Sequence, residues 1–500
     1  MKREYLPLNS LPTWLRFYGI ATYGIAVEEF GLDEHGANKG SGIIATESKL
    51  SSDSDSSPEI LLQVPSDLVL SLEAVHNYAK SDQDLREVLE AVGDFARTAR
   101  GAILIFLLVQ ITHSSPDLRS EQYPRQVGVS NPWTEYIKFL PSSFPLPTCY
   151  TDEEFGLLKS TSLLTVVDAK NTSLQREFDQ IRQATESIAW CRQVWWNEQT
   201  GNLVLDDWKY VDAAYRSRMV DLPGSGHSMV PCLDMANHEA GGQAKALYDA
   251  NSEGNAILRL RWGQSLSPGD EVTISYGDEK SAAEMIFSYG FLEQDRSEAK
   301  QMFLDLDIPD DDPLGVAKRN FCLETPGIRL SASREREEAF SWDSPLAWLA
   351  CVNEEDGLHF GVAQTTDGGR ELEASWKGEK IQSVSQLRDR LATDPFWDIF
   401  QLRAVVLLLG RLEDQLASLQ ETTEILSQFS ADNPMMEAMF RPTVFKLLAR
   451  FRPLEVSLLE VAVQELTEQR NALLDSETVT AYLTQQAEGA EQVEEVEDFS

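Results

Sequence analysis

Strand-like segments occur in two groups separated by a long helical stretch, and this arrangement constrains the fold more than any other feature. The first group follows a glycine turn at Gly40-Ser41-Gly42, and the second begins near residue 229. Each segment is a short apolar or β-branched run bounded by turn residues, as is typical of strands. We therefore predict one β unit that is built from two halves and split by a helical insertion. The predicted strands are 43–46, 60–65, 68–71, 229–233, 257–260 and 271–275.

Residues 72–217, between the two groups, have helical periodicity. Leu85, Val88, Leu89 and Val92 recur at helical spacing on one face. The segment 141–147 interrupts the pattern, because its prolines cannot continue a helix. This stretch is the predicted insertion.

Beyond residue 300 no strand alternation is sustained. Apolar residues recur at helical spacing near 383–392, 397–429 and 444–483. The apolar stripe that continues from Ile399 through Leu412 predicts the core of a separate helical domain. The alternative is that the same helices form a groove for a partner.

A chain of 500 residues exceeds the usual size of a single core, so we expect two or three structural units, and these patterns divide the chain into five parts. The predicted fold class is α+β: a β-rich domain split by a helical insertion, followed by an all-helical C-terminal domain. The predicted parts are 1–75 and 218–300 (the two halves of the split domain), 76–217 (the insertion), 301–485 (the helical domain) and 486–500 (an acidic, disordered tail).

Charge restricts the partners that the chain can bind. The formal net charge is -38, which argues against direct binding to a nucleic-acid backbone and favours a basic partner. The alternative is that the acidity only maintains solubility. The Ser/Asp-rich segment 48–57 is predicted to be a solvated loop, with a phosphorylation site as the alternative.

Cysteine usage and hydropathy bear on the compartment. The five cysteines are scattered singly, which argues against a zinc site or a disulfide framework and favours a reducing compartment. No signal peptide is visible, and the longest apolar run, 102–109, is too short to cross a bilayer. The sequence therefore predicts a soluble cytoplasmic or nuclear protein without membrane contact.

Three short motifs within 60 residues are the strongest functional signal. Asn237-His238 follows an apolar run, while Tyr276 and Tyr289 each end an apolar segment and are each followed by glycine. Taken singly, the histidine would be structural and the tyrosines would be packing residues. Together and in this order they predict a small aromatic site for a cationic group.

With the glycine turn and the helical insertion, these motifs resemble the SET-domain methyltransferases. More narrowly, the chain is similar to the class typified by the plant Rubisco large-subunit lysine methyltransferase and its fungal ribosomal-protein and elongation-factor relatives. Trp14 with Gly19, residues 133–136 and Ser217-Arg218 support this resemblance, which covers about residues 10–300. One departure is Val220, where relatives usually have an aromatic residue.

The resemblance implies a role for each matching residue. Backbone groups of the glycine turn would contact S-adenosylmethionine, and the Asn-His pair with a preceding arginine would bind the rest of it. One tyrosine would be catalytic, a second would line the channel for the substrate side chain, and a third is a weaker match for that channel. The implied cofactor-binding residues are Lys39, Gly40, Ser41, Arg218, Asn237, His238 and Tyr276; the catalytic residue is Tyr276; the channel residues are Tyr289 and, more weakly, Tyr248. No metal is implied.

The implied chemistry explains these residue types. Methyl transfer from a sulfonium needs a neutral amine, and neutralising a free lysine at pH 7 costs about 4 to 5 kcal/mol. A narrow, poorly hydrated channel lowers that pKa, and a fixed tyrosine hydroxyl orients the nitrogen.

The resemblance thus implies S-adenosylmethionine-dependent methylation of a lysine side chain in a non-histone protein. The expected substrate is lysine-rich, with a ribosomal protein or a translation factor as candidates, and the enzyme is expected to be a monomer. Two alternatives are methylation of histidine on the same fold, and a binding or scaffold protein that has lost turnover.

Overall fold

The computed structural model describes residues 1–31, 40–51, 59–119, 126–197, 202–332, 340–364, 369–428 and 439–486. Within these ranges, helices surround several small antiparallel sheets. The α-helices are α1 (Leu11–Phe17), α2 (Leu72–Ser81), α3 (Gln83–Val92), α4 (Ala99–Ser114), α5 (Pro132–Tyr136), α6 (Asp152–Gly156), α7 (Leu163–Thr185), α8 (Ala189–Val194), α9 (Leu205–Arg218), α10 (Ala282–Tyr289), α11 (Gly315–Phe321), α12 (Pro345–Ala350), α13 (Val384–Ala392), α14 (Trp397–Ser427), α15 (Pro442–Leu474) and α16 (477–486).

The strands are two to seven residues long. They are β1 (Ala21–Thr22), β2 (Ile25–Glu29), β3 (Ser41–Ala45), β4 (Lys49–Leu50), β5 (Ile60–Val64), β6 (Val220–Leu222), β7 (Gly226–Ser228), β8 (Ala246–Ala250), β9 (Ala256–Leu260), β10 (Ser265–Leu266), β11 (Gln301–Leu304), β12 (Ile328–Ala332), β13 (Phe340–Asp343), β14 (Leu358–Gln364), β15 (Arg370–Trp376) and β16 (Glu379–Ile381).

The central sheet joins strands from both sides of the insertion. Its order is β1-β5-β9-β8, and β5 pairs antiparallel with β9 so that Val64 lies opposite Ala256. Leu62 and Leu258, also paired, are fully buried. β5 precedes the helical insertion and β9 follows it, so the predicted split β unit is confirmed.

Three of the six predicted strands, 68–71, 229–233 and 271–275, are wrong as strands. Their backbones make only single bridges, such as that between Leu70 and Met229. The third segment changes partner within two residues, since Val272 N–H donates to Ile43 O and Ile274 N–H donates to Asn237 O. Their apolar side chains are buried, and such runs reflect burial as readily as a strand ladder.

The insertion packs around α4, whose residues from Gly101 to Ser114 are all buried. Two pairs of its buried polar side chains bond internally: Trp195 Nε1 donates to Thr112 Oγ1 over 2.8 Å, and Thr134 Oγ1 donates to Gln110 Oε1 over 2.6 Å. These bonds make the buried polar groups compatible with the apolar core. None of the helices in the described ranges is both long and apolar enough to cross a membrane.

The predicted all-helical C-terminal domain needs correction. Two three-stranded antiparallel sheets, β11-β12-β13 and β14-β15-β16, accompany the predicted helices α13, α14 and α15. β14 has no clean apolar face, because only Leu358 is buried and Val362 is 69% exposed. β11 and β12 do bury alternate residues, but they are only four and five residues long. The predicted domain boundaries stay a prediction.

A buried carboxyl group, Glu455 of α15, joins the C-terminal helices to the insertion. Ser162, just before α7, donates its hydroxyl and, over 3.3 Å, its N–H to this carboxyl group. One turn earlier, Arg452 donates to the carbonyl oxygens of Leu157 and Lys159. Burial raises the pKa of Glu455 from 4.5 to about 7, although Ser162 and Arg452 lower it.

We expect this carboxyl group to make folding stability depend on pH. Between pH 4.5 and 7 the folded chain keeps the Glu455 proton while the unfolded chain has released it. The stabilisation is therefore complete below about pH 4.5 and is lost as the pH rises through about 7, by about 1 to 3 kcal/mol.

The measurement is the free energy of unfolding across this range for the wild type and for Glu455→Gln. The glutamine keeps an acceptor for Ser162 but does not titrate, so the difference between the two proteins should change with pH. A constant difference would contradict the assignment.

Candidate functional site

Four aromatic rings meet where the two halves of the β unit join. The ring of Tyr276 stacks on His238, with centroids 5.1 Å apart, and lies 4.5 Å from the ring of Tyr289. Phe291 completes the group at 6.1 to 6.4 Å from the other three rings. The structure thus brings the predicted Asn-His and tyrosine motifs together. Sequence reasoning missed Phe291, although an aromatic residue directly after Ser288-Tyr289-Gly290 was an available signal.

Tyr276 is held at both ends by the segment that carries the Asn-His pair. Its N–H donates to Nδ1 of His238 over 3.0 Å, and its hydroxyl donates to the carbonyl oxygen of Ala236 over 2.8 Å. A parallel bridge between His238 and Ile274 sets the two segments side by side. Backbone pairing therefore places this phenol, which has little freedom to move.

Tyr289 owes its place to the two ends of α10. Ser281 and Glu284 form a capping box at the start of the helix, and Gly290 ends it with φ +79°. A Cβ on Gly290 would lie 2.6 Å from the carbonyl oxygen of Pro145 in the insertion. Only glycine allows this close approach in a left-handed conformation, so the insertion packs directly behind the tyrosine.

The glycine turn lies against Asn237. The Asn237 amide donates to Glu271 Oε1 over 2.7 Å and, at 3.5 Å, to the carbonyl oxygen of Ser41. Gly40 has φ +71°, and a Cβ on Gly42 would lie 2.8 Å from Asn237 Nδ2. The strand β3 is thus brought close to the Asn-His pair from about 200 residues away. Lys39 lies outside the described residues.

Arg218 reaches the same region through Asp234. Its Nη1 donates to the carbonyl oxygen of Asp234 over 2.9 Å, and its buried Nε makes no hydrogen bond within the described residues. Tyr136 of the insertion donates its hydroxyl to the Asp234 carboxylate. Burial raises the pKa of Asp234, although Arg218 lowers it. Neither Asp234 nor Tyr136 is a predicted site residue, although Tyr136 lies in the segment 133–136 that supports the resemblance.

Both central tyrosines are neutral phenols at neutral pH. Burial raises the pKa of Tyr276 well above its ordinary value, against the opposing charge of Arg218. Burial, with Tyr248 and Glu284 nearby, raises the pKa of Tyr289 to about 12. Tyr248, on β8, is half-buried and close enough to contribute to the raised pKa of Tyr289. The roles assigned to these residues stay predictions.

The residues present fit the implied S-adenosylmethionine. The guanidinium of Arg218 keeps an unused buried N–H that suits a carboxylate. At the start of the turn, no atom of the described residues lies within 4 Å of a Cβ built on Gly40, which leaves room beside the backbone there for a ligand. The aromatic rings suit a positively charged centre.

No known family profile matches the chain, but individual proteins do. SET domain-containing protein 8 of Schizosaccharomyces pombe is 26% identical over 432 residues, covering 85% of this chain and 90% of that protein. The [fructose-bisphosphate aldolase]-lysine N-methyltransferase of Arabidopsis thaliana is 26% identical over 39% of this chain and 41% of its own length. The actin-histidine N-methyltransferase of Gallus gallus is 22% identical over 75% and 58%, respectively.

Among solved structures, Rubisco LSMT bound to AdoMet superposes with a TM-score of 0.60 and 17% identity, covering 94% of this chain and 93% of that one. This similarity in architecture extends beyond residue 300, where the sequence motifs end. The predicted α+β class with a split β-rich domain is thereby confirmed.

Proposed function

We propose that this chain, a SET protein of the Rubisco large-subunit methyltransferase-like class, transfers a methyl group from S-adenosylmethionine to a side-chain nitrogen of a protein. The acceptor in this proposal is a lysine of a non-histone protein. The observation that carries the proposal is the double hydrogen bonding of Tyr276 inside the aromatic group. A phenol held in this way can orient an incoming nitrogen with no other catalytic group.

The cofactor-binding residues would be Gly40, Ser41, Asn237 and Arg218. Arg218 would bind a carboxylate, and the backbone of the turn would lie along the bound molecule. When bound, S-adenosylmethionine supplies a methyl group on a positively charged sulfur. The neighbouring solved structure contains AdoMet, which supports this choice.

Tyr276 would orient the acceptor nitrogen. The hydroxyl proton of Tyr276 is donated to the carbonyl oxygen of Ala236. The lone pairs of the hydroxyl oxygen can therefore accept a hydrogen bond from an N–H of the substrate nitrogen. Such a bond fixes the direction of the nitrogen lone pair and brings the reacting atoms into line. Because its pKa is raised, Tyr276 holds its proton throughout and is not a general base.

Tyr289 and Phe291 would form the wall of the acceptor channel. Their faces attract an ammonium group and exclude water, and poor hydration favours the neutral amine that the reaction needs. The net charge of -38 also favours a lysine-rich target such as a ribosomal protein or a translation factor. The alternative methyl acceptor is a histidine side chain, since one relative is an actin-histidine N-methyltransferase.

The test is incubation of the protein with radiolabelled S-adenosylmethionine and separate cytoplasmic and nuclear extracts. We expect label in protein with the wild type and almost none with Tyr276→Phe. Mass spectrometry of the labelled product then locates the methyl group. A methyl group on an imidazole would overturn the lysine assignment, and no label in protein with either the wild type or Tyr276→Phe would overturn the enzymatic proposal.

Asn237→Ala should weaken S-adenosylmethionine binding about 3- to 10-fold, because it removes the amide that links Ser41 to Glu271 at the proposed cofactor site. Titration calorimetry measures the affinity. Asn77→Ala is the matched control, since Asn77 is exposed, far from the glycine turn in the sequence, and accepts a hydrogen bond from Lys80. An affinity unchanged by Asn237→Ala would remove this residue from the site.

A further inference from the structure

The second ring nitrogen of His238 faces a carboxylate that none of the sequence motifs includes. His238 Nε2 lies 3.5 Å from Glu293 Oε1, and the two side chains are 1% and 16% exposed. Nε2 is buried and makes no hydrogen bond among the described residues. The carboxylate oxygen of Glu293 is the polar atom that it faces. Glu293 follows Phe291 by two residues and thus lies just beyond the aromatic group.

The hydrogen bond on the other nitrogen determines where the ring proton must be. Nδ1 accepts the N–H of Tyr276, so it carries no proton. A neutral imidazole has one proton, which is therefore on Nε2, directed towards Glu293. Burial raises the pKa of Glu293, but His238, a backbone N–H and Arg296 outweigh it and lower the pKa, so the carboxylate is ionised at neutral pH.

Glu293 is itself held from two directions. Arg296 contacts both carboxylate oxygens, at 3.0 and 3.3 Å, and also donates to the carbonyl oxygen of Lys280 at the approach to α10. Arg450 of α15 donates to the carbonyl oxygens of Glu293 and Gln294 over 2.8 and 3.2 Å. Helix α15 thus holds, through Arg450, the segment that carries Glu293 and places its carboxylate next to His238.

We propose that Glu293 is a positioning residue that keeps His238 in its Nε2–H form and thereby fixes the backbone of Tyr276, with Arg450 linking this arrangement to the C-terminal domain. The proposal rests on the proposed function for its catalytic consequence, but not for the state of the histidine ring. An acceptor on one imidazole nitrogen selects the tautomer and orientation of the whole ring. Without the Glu293 acceptor, the ring proton can move to Nδ1. A proton on Nδ1 points at the N–H of Tyr276 and prevents the hydrogen bond between them.

The test compares Glu293→Gln with Glu293→Met in the full-length protein. Glutamine keeps an oxygen acceptor of the same reach, whereas methionine has similar length and no such acceptor. Nitrogen-proton correlation NMR reads the tautomer of His238, whose signals are assigned by their loss in His238→Asn. We expect the Nε2–H form in the wild type and in Glu293→Gln, and a mixture of tautomers in Glu293→Met.

The rate of label transfer from radiolabelled S-adenosylmethionine to extract protein is the second readout. We expect about a tenfold loss in Glu293→Met, a rate within about twofold of wild type in Glu293→Gln, and a loss of a few-fold in Arg450→Met. Glu73→Met, which changes an exposed glutamate of α2, is the matched control. An unchanged His238 spectrum in Glu293→Met, or a Glu293→Gln variant as impaired as Glu293→Met, would overturn the proposal. A wild type that labels nothing defeats the proposed function instead, while the NMR result still decides the role of Glu293.

Discussion

Replacing Tyr276 by phenylalanine should lower methyl transfer at least about 100-fold while leaving the fold intact. The ring and its contacts with His238 and Tyr289 stay in place. The change removes only the hydroxyl, whose bond to Ala236 contributes about 0.5 to 1.5 kcal/mol to stability. The large effect on rate is expected because the acceptor nitrogen then has no oriented oxygen to bind.

The measurement is the initial rate of label transfer, together with calorimetric affinity for S-adenosylmethionine and the melting temperature. Tyr210→Phe is a matched control: Tyr210 is also buried, and its hydroxyl also donates to a backbone carbonyl oxygen over 2.8 Å, that of Pro141. Both variants should lose similar stability, and only Tyr276→Phe should lose activity. Equal rates for the two variants would mean that the Tyr276 hydroxyl has a packing role alone.

Gly42→Ala should damage the proposed cofactor site more than any single hydrogen-bond deletion there. The new Cβ would lie 2.0 Å from Phe30 Cε2 and 2.8 Å from Asn237 Nδ2, so at least one of these side chains must move. Overpacking of this kind costs about 1 to 3 kcal/mol. If the displacement falls on Asn237, affinity for S-adenosylmethionine drops about 5- to 150-fold.

Titration calorimetry and thermal melting together separate the two effects. Gly361→Ala is the control, because Gly361 also lies in a strand, β14, but no atom of the described residues is within 4 Å of the added Cβ. We expect Gly361→Ala to bind and melt like the wild type. If Gly42→Ala kept wild-type affinity for S-adenosylmethionine, only the Phe30 side chain would have moved. The position of Asn237 would then not depend on the glycine at residue 42.

The residues that meet at the candidate site were predictable where the motifs carry unusual chemistry. Asn237, His238, Tyr276 and Tyr289 lie in short motifs whose order is informative, and the structure brings them together. The glycine turn was predictable for the same reason. Each of these motifs requires a particular residue type, so it can be recognised in the sequence.

The roles of other residues of the site depend on contacts that the sequence does not show. Glu293 is one of 81 acidic residues, and nothing in its neighbours distinguishes it from a solvated carboxylate. Tyr136 and Asp234 lie about 100 residues apart, and their hydrogen bond exists only because the insertion folds against the β unit. Phe291 does follow Ser288-Tyr289-Gly290 directly, but its place among the other three rings depends on the fold.

The sequence by itself determined the split β unit, the helical insertion, the long C-terminal helices and the chemical character of the site, because periodicity and residue type are local properties. Only the tertiary structure decided which apolar runs are strands, that the C-terminal domain contains two sheets, and that Arg450 on α15 reaches the segment behind His238. The reason is physical: pairing partners, burial and the direction of a side chain depend on contacts between residues far apart in the chain. Composition and spacing do not encode those contacts locally.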